Sequence, residues 1–373
     1  MVVVAMGSGS STLGGRLGGD FPAFYSAGAL VAGGNTDNLY DPATQAAEQA
    51  KLLGGEDGFL AFAYAPHVAL AYAPLSLVGY RLAYVLHTGL MAVALVLALG
   101  LMRPMVGVVD RWFALTVASA IGFYPIFMAV GGGQNTALSL LLLVVVWRSL
   151  RDGRDAGAGM AVALLMFRPQ YAVPLLGLLF VGRHVKAVGW AVAGIAATWM
   201  TDAVLLGPTW LSEWLHSVGP FVSNDADVNG HNAVSMVGFA QATLGTDSAI
   251  AVVFGTVGSI AVAITLARVW RSPSVGLDRQ MALTAAGLVL LSPHTMFYDA
   301  GLIVITLAVL IDVAPLQRWP LVAAVSAASL LQVSSATLGF SPFAPVVAVV
   351  FLIALRSIRQ SKPVSAPLAM AVA

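Results

Sequence analysis

Cysteine is absent from this chain, so no disulfide holds it together and no thiolate can ligate a metal. Charge is scarce: Asp, Glu, Lys and Arg make up 9% of 373 residues, where a soluble globular protein carries about 25%. So few charges cannot clothe a water-facing surface, which excludes a soluble globular domain and makes lipid the solvent for much of the molecule. The net charge is +1, without the basic excess that a nucleic-acid partner demands. A secretory signal is not expected either. The apolar run from Met1 to Met6 is short, no basic region precedes it, and Gly and Ser follow.

What is plentiful is apolar, at 59% of residues. A membrane span needs about 20 such residues, fewer if helices are broken. Candidate segments are 59–80, 81–102, 112–130, 136–147, 156–167, 171–181, 187–206, 248–270, 281–291, 300–311, 321–338 and 343–355. The expected fold is all-α: one membrane domain over 1–373, a polytopic helical bundle of about 10–12 membrane segments, some broken or re-entrant. Positive charge in short loops orients it. Arg148, Arg151, Arg154, Arg183, Lys186, Arg268, Arg271, Arg279, Arg318, Arg356, Arg359 and Lys362 are placed in the cytoplasm. The outside then receives 131–135, 168–170, the island around His294, 339–342, and two expected outer loops, 18–58 and 207–247; the tail 362–373 is expected to be loose. One stretch resists this count. Between 18–58 outside and 103–111 inside the chain must cross an odd number of times, yet 59–102 holds two candidate spans. Either the repeat Tyr64-Ala65-Pro66 and Tyr72-Ala73-Pro74 marks a re-entrant or interfacial piece, or 103–111 lies outside.

Polar islands interrupt the apolar pattern. Ser292-Pro293-His294-Thr295-Met296-Phe297-Tyr298-Asp299 separates two apolar runs, and Gly18-Gly19-Asp20-Phe21-Pro22-Ala23-Phe24-Tyr25 stands near the start. Acid–base groups at the mouth of a span are costly, and together the islands point to a membrane enzyme whose chemistry sits at one face of the bilayer. Asp20, among glycines and aromatics, is read either as a base or as the N-cap of a helix beginning at Pro22. His294 is a general-base candidate, with Tyr298 four and Asp299 five residues on as possible orienters; the plainer reading is an interfacial histidine beside a capping Ser292-Pro293. Arg168 lies between apolar runs, where its fork suits a phosphate; the alternative is snorkelling to the interface. Gly131-Gly132-Gly133-Gln134-Asn135 allows a backbone to approach a ligand, with Gln134 as a sugar or phosphate contact, or is simply a turn between spans. Asp225-Ala226-Asp227 resembles a metal-binding Asp-x-Asp, but two carboxylates in a loop are more often solvated, and no metal site is expected. Trp210, Trp214 and Phe221 make that outer segment an amphipathic flap, and His231-Asn232-Ala233-Val234-Ser235 leads back toward the membrane.

In order, these islands resemble glycosyltransferase family 87, of the GT-C fold, which includes polyprenol-phosphate-mannose-dependent alpha-mannosyltransferases. The residues that carry the resemblance are Gly19-Asp20-Phe21 with Tyr25 and Ala27-Gly28, then Leu39-Tyr40-Asp41-Pro42, then Phe62-Ala63-Tyr64-Ala65-Pro66 followed by Pro74-Leu75. Gly133-Gln134-Asn135, Arg168-Pro169-Gln170, Asn232 with Ser235, and Ser292-Pro293-His294 with Tyr298-Asp299 complete it, over about residues 18–312. The resemblance implies a lipid-linked sugar donor, polyprenyl-phosphate mannose or a similar sugar, and a lipid-anchored or cell-envelope glycan acceptor. Chemistry is then on the outer face of the cytoplasmic membrane, without a nucleotide sugar. Asp20 and His294 match the family's essential aspartate and histidine. Arg168 and Gln170 are expected at the donor phosphate; Tyr25, Tyr64, Gln134, Asn135, His231, Asn232, Tyr298 and Asp299 are expected to contact sugar or acceptor.

Elementary chemistry agrees with that implication. An acceptor hydroxyl must lose a proton as it attacks the anomeric carbon, which takes one base. The phosphate leaves without a general acid, and a cation stabilises its charge. Single-displacement inversion therefore needs no carboxylate pair of the retaining-hydrolase kind. Either Asp20 or His294 is the base, the other positioning it or the sugar; no cofactor and no divalent metal are expected. The family places a transmembrane helix directly before its Gly-Asp-Phe motif, whereas Met1–Gly19 is too short and Gly/Ser-rich to span. The expectation is a start placed downstream of the native one, or a shortened homologue. A lipid or glycan transporter without transferase activity is the competing reading, since it too uses broken helices; a catalytically inert membrane subunit is the third.

Overall fold

A computed structural model describes residues 18–53, 60–313 and 315–360. The expectations for the first 17 residues and for the tail 362–373 lie outside the described residues. Among the described residues every regular element is a helix, and the sole β feature is an isolated bridge between Ala233 and Met296. The expected all-α polytopic membrane bundle is what forms.

Among the described residues, four helices are long and apolar enough to cross a bilayer: Tyr80–Met102, Val185–Leu206, Ala249–Arg271 and Trp319–Leu338. A fifth span arises if Phe113–Gly122 and Tyr124–Gly131, bent by 70° at Phe123, count as one. Pro125 in the first turn of the second piece explains the bend, because it lacks an N–H and its ring excludes the preceding turn. Other apolar helices are short. Asp155–Leu165 and Pro169–Val181 are separated by a turn at Arg168, whose backbone (φ −124°, ψ 79°) is pushed out of the helical region by the proline after it.

The largely apolar Tyr80–Met102 helix has two distinct faces. Ala83, Tyr84, His87, Met91, Ala94, Leu95, Ala98 and Leu99 are buried at helical spacing, while Leu82, Val85, Leu86, Leu90, Val93 and Leu97 are exposed to the position of lipid. The alanines of the buried face admit neighbouring helices, Tyr84, His87, Met91, Leu95 and Leu99 fill the interior beside them, and mainly large aliphatics are left on the outer face. Leu277–Leu291 is the opposite case, buried on every side from Gln280 to Leu290, and so apolar all round.

The arginine-rich loops gather at one end of the bundle. Arg151 Nη1 lies 3.1 and 3.2 Å from the two Asp278 carboxylate oxygens and 3.5 Å from the Met105 carbonyl, while Val108 N donates to Asp312 Oδ1 at 2.7 Å. Residues 103–111 therefore share this end, and Tyr80–Met102 alone makes the crossing that leads to it. Pro66–Ser76 does not cross; it is an 11-residue helix with Pro74 inside it, packed on Phe21–Ala32. The two segments expected outside carry helices of their own. The described part of 18–58 contains Phe21–Ala32, buried over most of its length, and Pro42–Leu53. Within 207–247, Trp210–Asn229 and Met236–Leu244 are helices. The reason is local amphipathicity: Trp210 and Trp214, one turn apart, bury against Ala65 with Tyr40 and Trp199 around them.

Candidate active site

At the end of the bundle away from the arginines, the island near the start meets the glycine-rich turn. Asp20 N donates to Gly132 O at 3.0 Å and Phe21 N to Gly18 O at 2.8 Å. This approach depends on glycine. Gly19 (φ +53°) and Gly133 (φ +67°) are left-handed, and a Cβ would fall 2.7 Å from Gly132 O at the first and 2.5 Å from Gly18 O at the second. Asp20 occupies the N-cap position of Phe21–Ala32 yet makes no capping bond. Its Oδ2 instead accepts a hydrogen bond from the Gln134 side-chain amide.

From Gln134 the network continues inward. Arg168 Nη2 donates to Gln134 Oε1 at 3.1 Å, and Arg168 Nη1 forms an ion pair with Asp299 Oδ1. Thr136 Oγ1 donates to the same oxygen at 3.0 Å, and Asp299 Oδ2 receives Met296 N at 3.3 Å. Arg168, Gln134 and Asp299 are 2, 3 and 3% exposed, so this charge pair is desolvated and must be matched internally. Arg168 Nε is buried without a partner, and the guanidinium lies over the Tyr171 ring, 5.8 Å from its centroid. Asp20, Asn135, Arg168 and Met296 each stand immediately before a helical segment, so four helix N-termini converge here. Their partial positive charge favours an anion.

The other expected residues surround this chain. Asn135 Oδ1 accepts the Tyr72 hydroxyl at 2.6 Å, and that hydroxyl lies 3.2 Å from His87 Nδ1. Tyr25 spends its hydroxyl on the Val78 carbonyl at 2.8 Å. Tyr64 is half-buried on the loop before Pro66; burial pushes its phenol up, while the neighbouring Arg168 opposes the shift. Gln170, in the first turn of Pro169–Val181, and Tyr298, in the 3-10 helix Phe297–Ile303, are half-buried.

His294 has a different partner from the expected one. Asp299 is committed to Arg168, Thr136 and Met296 N, so it does not orient the imidazole. The carboxylate beside His294 Nε2 is Asp225 Oδ2, at 3.5 Å, and the Phe221 ring stands edge-on to the imidazole at 5.4 Å. Two hydrogen bonds tie the turn after the Trp210–Asn229 helix to the histidine's segment: Val234 N donates to Thr295 O at 2.9 Å, and Ser235 Oγ to Pro293 O at 3.3 Å. His231 lies in the same turn, its Nε2 3.1 Å from Asn232 Nδ2. Asn232 Oδ1 receives Gln332 Nε2 at 3.0 Å and Ser335 Oγ at 3.2 Å, which anchors the turn to the C-terminal helices.

Sequence reasoning missed Asp225 as a partner of His294, as well as Thr136 and Tyr72. Thr136 directly follows the Gly-Gln-Asn turn and Tyr72 belongs to the Tyr-Ala-Pro repeat, so both carried a positional signal. Asp225, 69 residues before His294 by subtraction of their numbers, stood out only in its Asp-x-Asp pattern, which carried no sign of this pairing.

Compared with known protein families, residues 62–293 match the family described as glycosyltransferase family 87. No curated protein and no solved structure matches the chain.

Proposed function

The chain belongs to glycosyltransferase family 87 and is a multi-pass membrane glycosyltransferase, and from that premise we propose what it transfers and how. The donor is a polyprenyl-phosphate sugar, most simply mannose, and the acceptor a lipid-anchored or cell-envelope glycan. The reaction takes place on the outer face of the cytoplasmic membrane, because the arginine-rich end opposite the site is the cytoplasmic one by the positive-inside rule. Family membership sets aside the transporter reading.

The observation that supports this reading most is the Asp20–Gln134–Arg168–Asp299 chain, built from four separate segments at one end of the bundle. A purely structural ion pair would not need a second carboxylate held by a glutamine that the arginine itself orients. Arg168 is matched by Asp299, so it offers a phosphate its field together with the converging helix N-termini, not a free fork. Asp20 and His294 supply the proton acceptor and the contact that sets the sugar, and the acceptor oxygen displaces the lipid phosphate in one inverting step. Tyr64, Asn135, His231, Asn232 and Tyr298 line the approach to sugar and acceptor. No metal enters the proposed step.

The test is transfer of label from radiolabelled polyprenyl-phosphate mannose to lipid or glycan in membranes holding the enzyme, its Asp20→Asn variant or its His294→Ala variant. Transfer by the wild type and its loss in both variants are the expected outcome. Folded wild type that moves no label from any polyprenyl-phosphate sugar refutes the donor assignment.

A further inference from the structure

The geometry points to Asp225 as the residue that positions His294, holding it as the tautomer whose Nδ1 takes the acceptor proton; this rests on the proposed transferase reading and takes His294, of its two base candidates, as the base. Phe221, Asp225 and Asn229 stand at spacings of four on the Trp210–Asn229 helix, and so form one stripe. Each does something different toward the imidazole. Asn229 Nδ2 donates to Asp225 Oδ1 at 2.6 Å, fixing the carboxylate and leaving Oδ2 for His294 Nε2 at 3.5 Å. Phe221 stands edge-on to the ring at 5.4 Å and limits its rotation.

Both sides of this contact are anchored. The helix is tied to the loop before Pro66 by Trp214 Nε1, which donates to Ala63 O at 2.9 Å. The histidine's own segment is held through Pro293 and Thr295. The second carboxylate of the old Asp-x-Asp pattern, Asp227, is exposed and takes no part.

His294 Nε2 and Asp225 Oδ2 form an ion-pair contact at 3.5 Å; a carboxylate only accepts, so Asp225 favours the tautomer with the hydrogen on Nε2 and the lone pair on Nδ1. In the reaction the acceptor hydroxyl gives its proton to Nδ1 while its oxygen bonds to the anomeric carbon. The bond from that carbon to the phosphate oxygen breaks, and its electron pair leaves with the polyprenyl phosphate. Asp225 stays ionised and stabilises the imidazolium, as the third member of a hydrolase triad does. It touches no substrate and is a positioning residue. At 3.5 Å, with side chains 25 and 16% exposed, the contact is weaker than a buried triad bond. The loss expected on removing it is therefore about 10- to 100-fold, as for partners that orient a ligating histidine.

The experiment uses full-length enzyme in lipid nanodiscs with the radiolabelled polyprenyl-phosphate sugar, comparing Asp225→Asn, His294→Ala, the double variant, and Asp227→Asn as a control. Asp225→Asn should lower kcat about 10- to 100-fold with KM little changed, and should cost nothing further in the His294→Ala background. Asp227→Asn should match the wild type. If Asp225→Asn folds poorly, Asn229→Ala frees the same carboxylate without changing charge and should lower kcat alone. Full activity of Asp225→Asn beside an inactive His294→Ala overturns this inference and leaves the base reading intact. An undiminished His294→Ala overturns both. A loss from Asp225→Asn that persists in the His294→Ala background overturns it too, because Asp225 would then act elsewhere.

Discussion

Replacing Arg168 by Gln tests whether the buried chain is one electrostatic unit. The substitution keeps much of the side-chain volume and some hydrogen-bonding capacity but removes the charge that Asp299 faces. Asp299, 3% exposed, is left with Thr136 Oγ1 and Met296 N, two neutral donors, for a full negative charge. Gln134 Oε1 loses its Arg168 donor, so the group that holds Asp20 is no longer fixed. Breaking a buried pair on one side costs about 3–5 kcal/mol. At 1.4 kcal/mol per decade, that raises the unfolding equilibrium by about two to nearly four orders of magnitude. The assay is reversible unfolding in mixed micelles with rising SDS, followed by tryptophan fluorescence. The double variant Arg168→Gln/Asp299→Asn leaves no unpaired charge and should recover at least half of the loss. Its transfer activity should remain low, because Gln134 is still unheld. Arg168→Gln within about 0.5 kcal/mol of wild type, or a double variant no more stable than the single, would refute the account.

Two further outcomes follow from backbone and capping geometry. Gly133→Ala should cost at least about 2 kcal/mol in the same assay and abolish transfer, because the added methyl falls 2.5 Å from Gly18 O and 2.6 Å from Phe21 Cβ. Gly153→Ala shares the left-handed φ (+69°) with nothing within 4 Å, so it should show only the conformational cost of about 1–2 kcal/mol; equal losses at both positions would remove the close-approach argument. Asp41 is held below its ordinary value first by the Thr44 hydroxyl (2.6 Å) and then by the Thr44 amide (2.8 Å). A depressed carboxylate contributes stability above its unfolded value, about 3.9, and loses it as pH falls through the lower folded value. Hydrogen-exchange protection of the Thr44 amide, corrected for intrinsic rate, should therefore decline below about pH 4 in the wild type and be small and flat in Asp41→Asn. The same profile in both would sink the claim.

Much of the site could be read without coordinates, because its residues announce themselves by cost. Arg168 between apolar runs, Asp20 among glycines and aromatics, and Asp299 and His294 in a polar break are each expensive in lipid. The proline after Arg168 and the glycines around Gln134 also showed where helices must stop. Pairing was another matter. Asp299 lay close to His294 in sequence and was expected to serve it, but a 3-10 turn carries Asp299 inward to Arg168, while Asp225 arrives from a different helix.

Composition determined the solvent and the helical class, since these follow from transfer free energies summed over many residues. The number of true crossings did not follow, because an 11-residue helix such as Pro66–Ser76 and a full span such as Tyr80–Met102 are built from the same apolar residues. Nor did the helical state of 207–247, which depends on Trp210 and Trp214 finding Ala65 and Tyr40 far away in the chain. Tertiary structure alone decided which carboxylate meets which cation or imidazole. Such contacts are set by distances of a few ångströms between segments that share no local signal, and burial then makes each choice expensive to reverse.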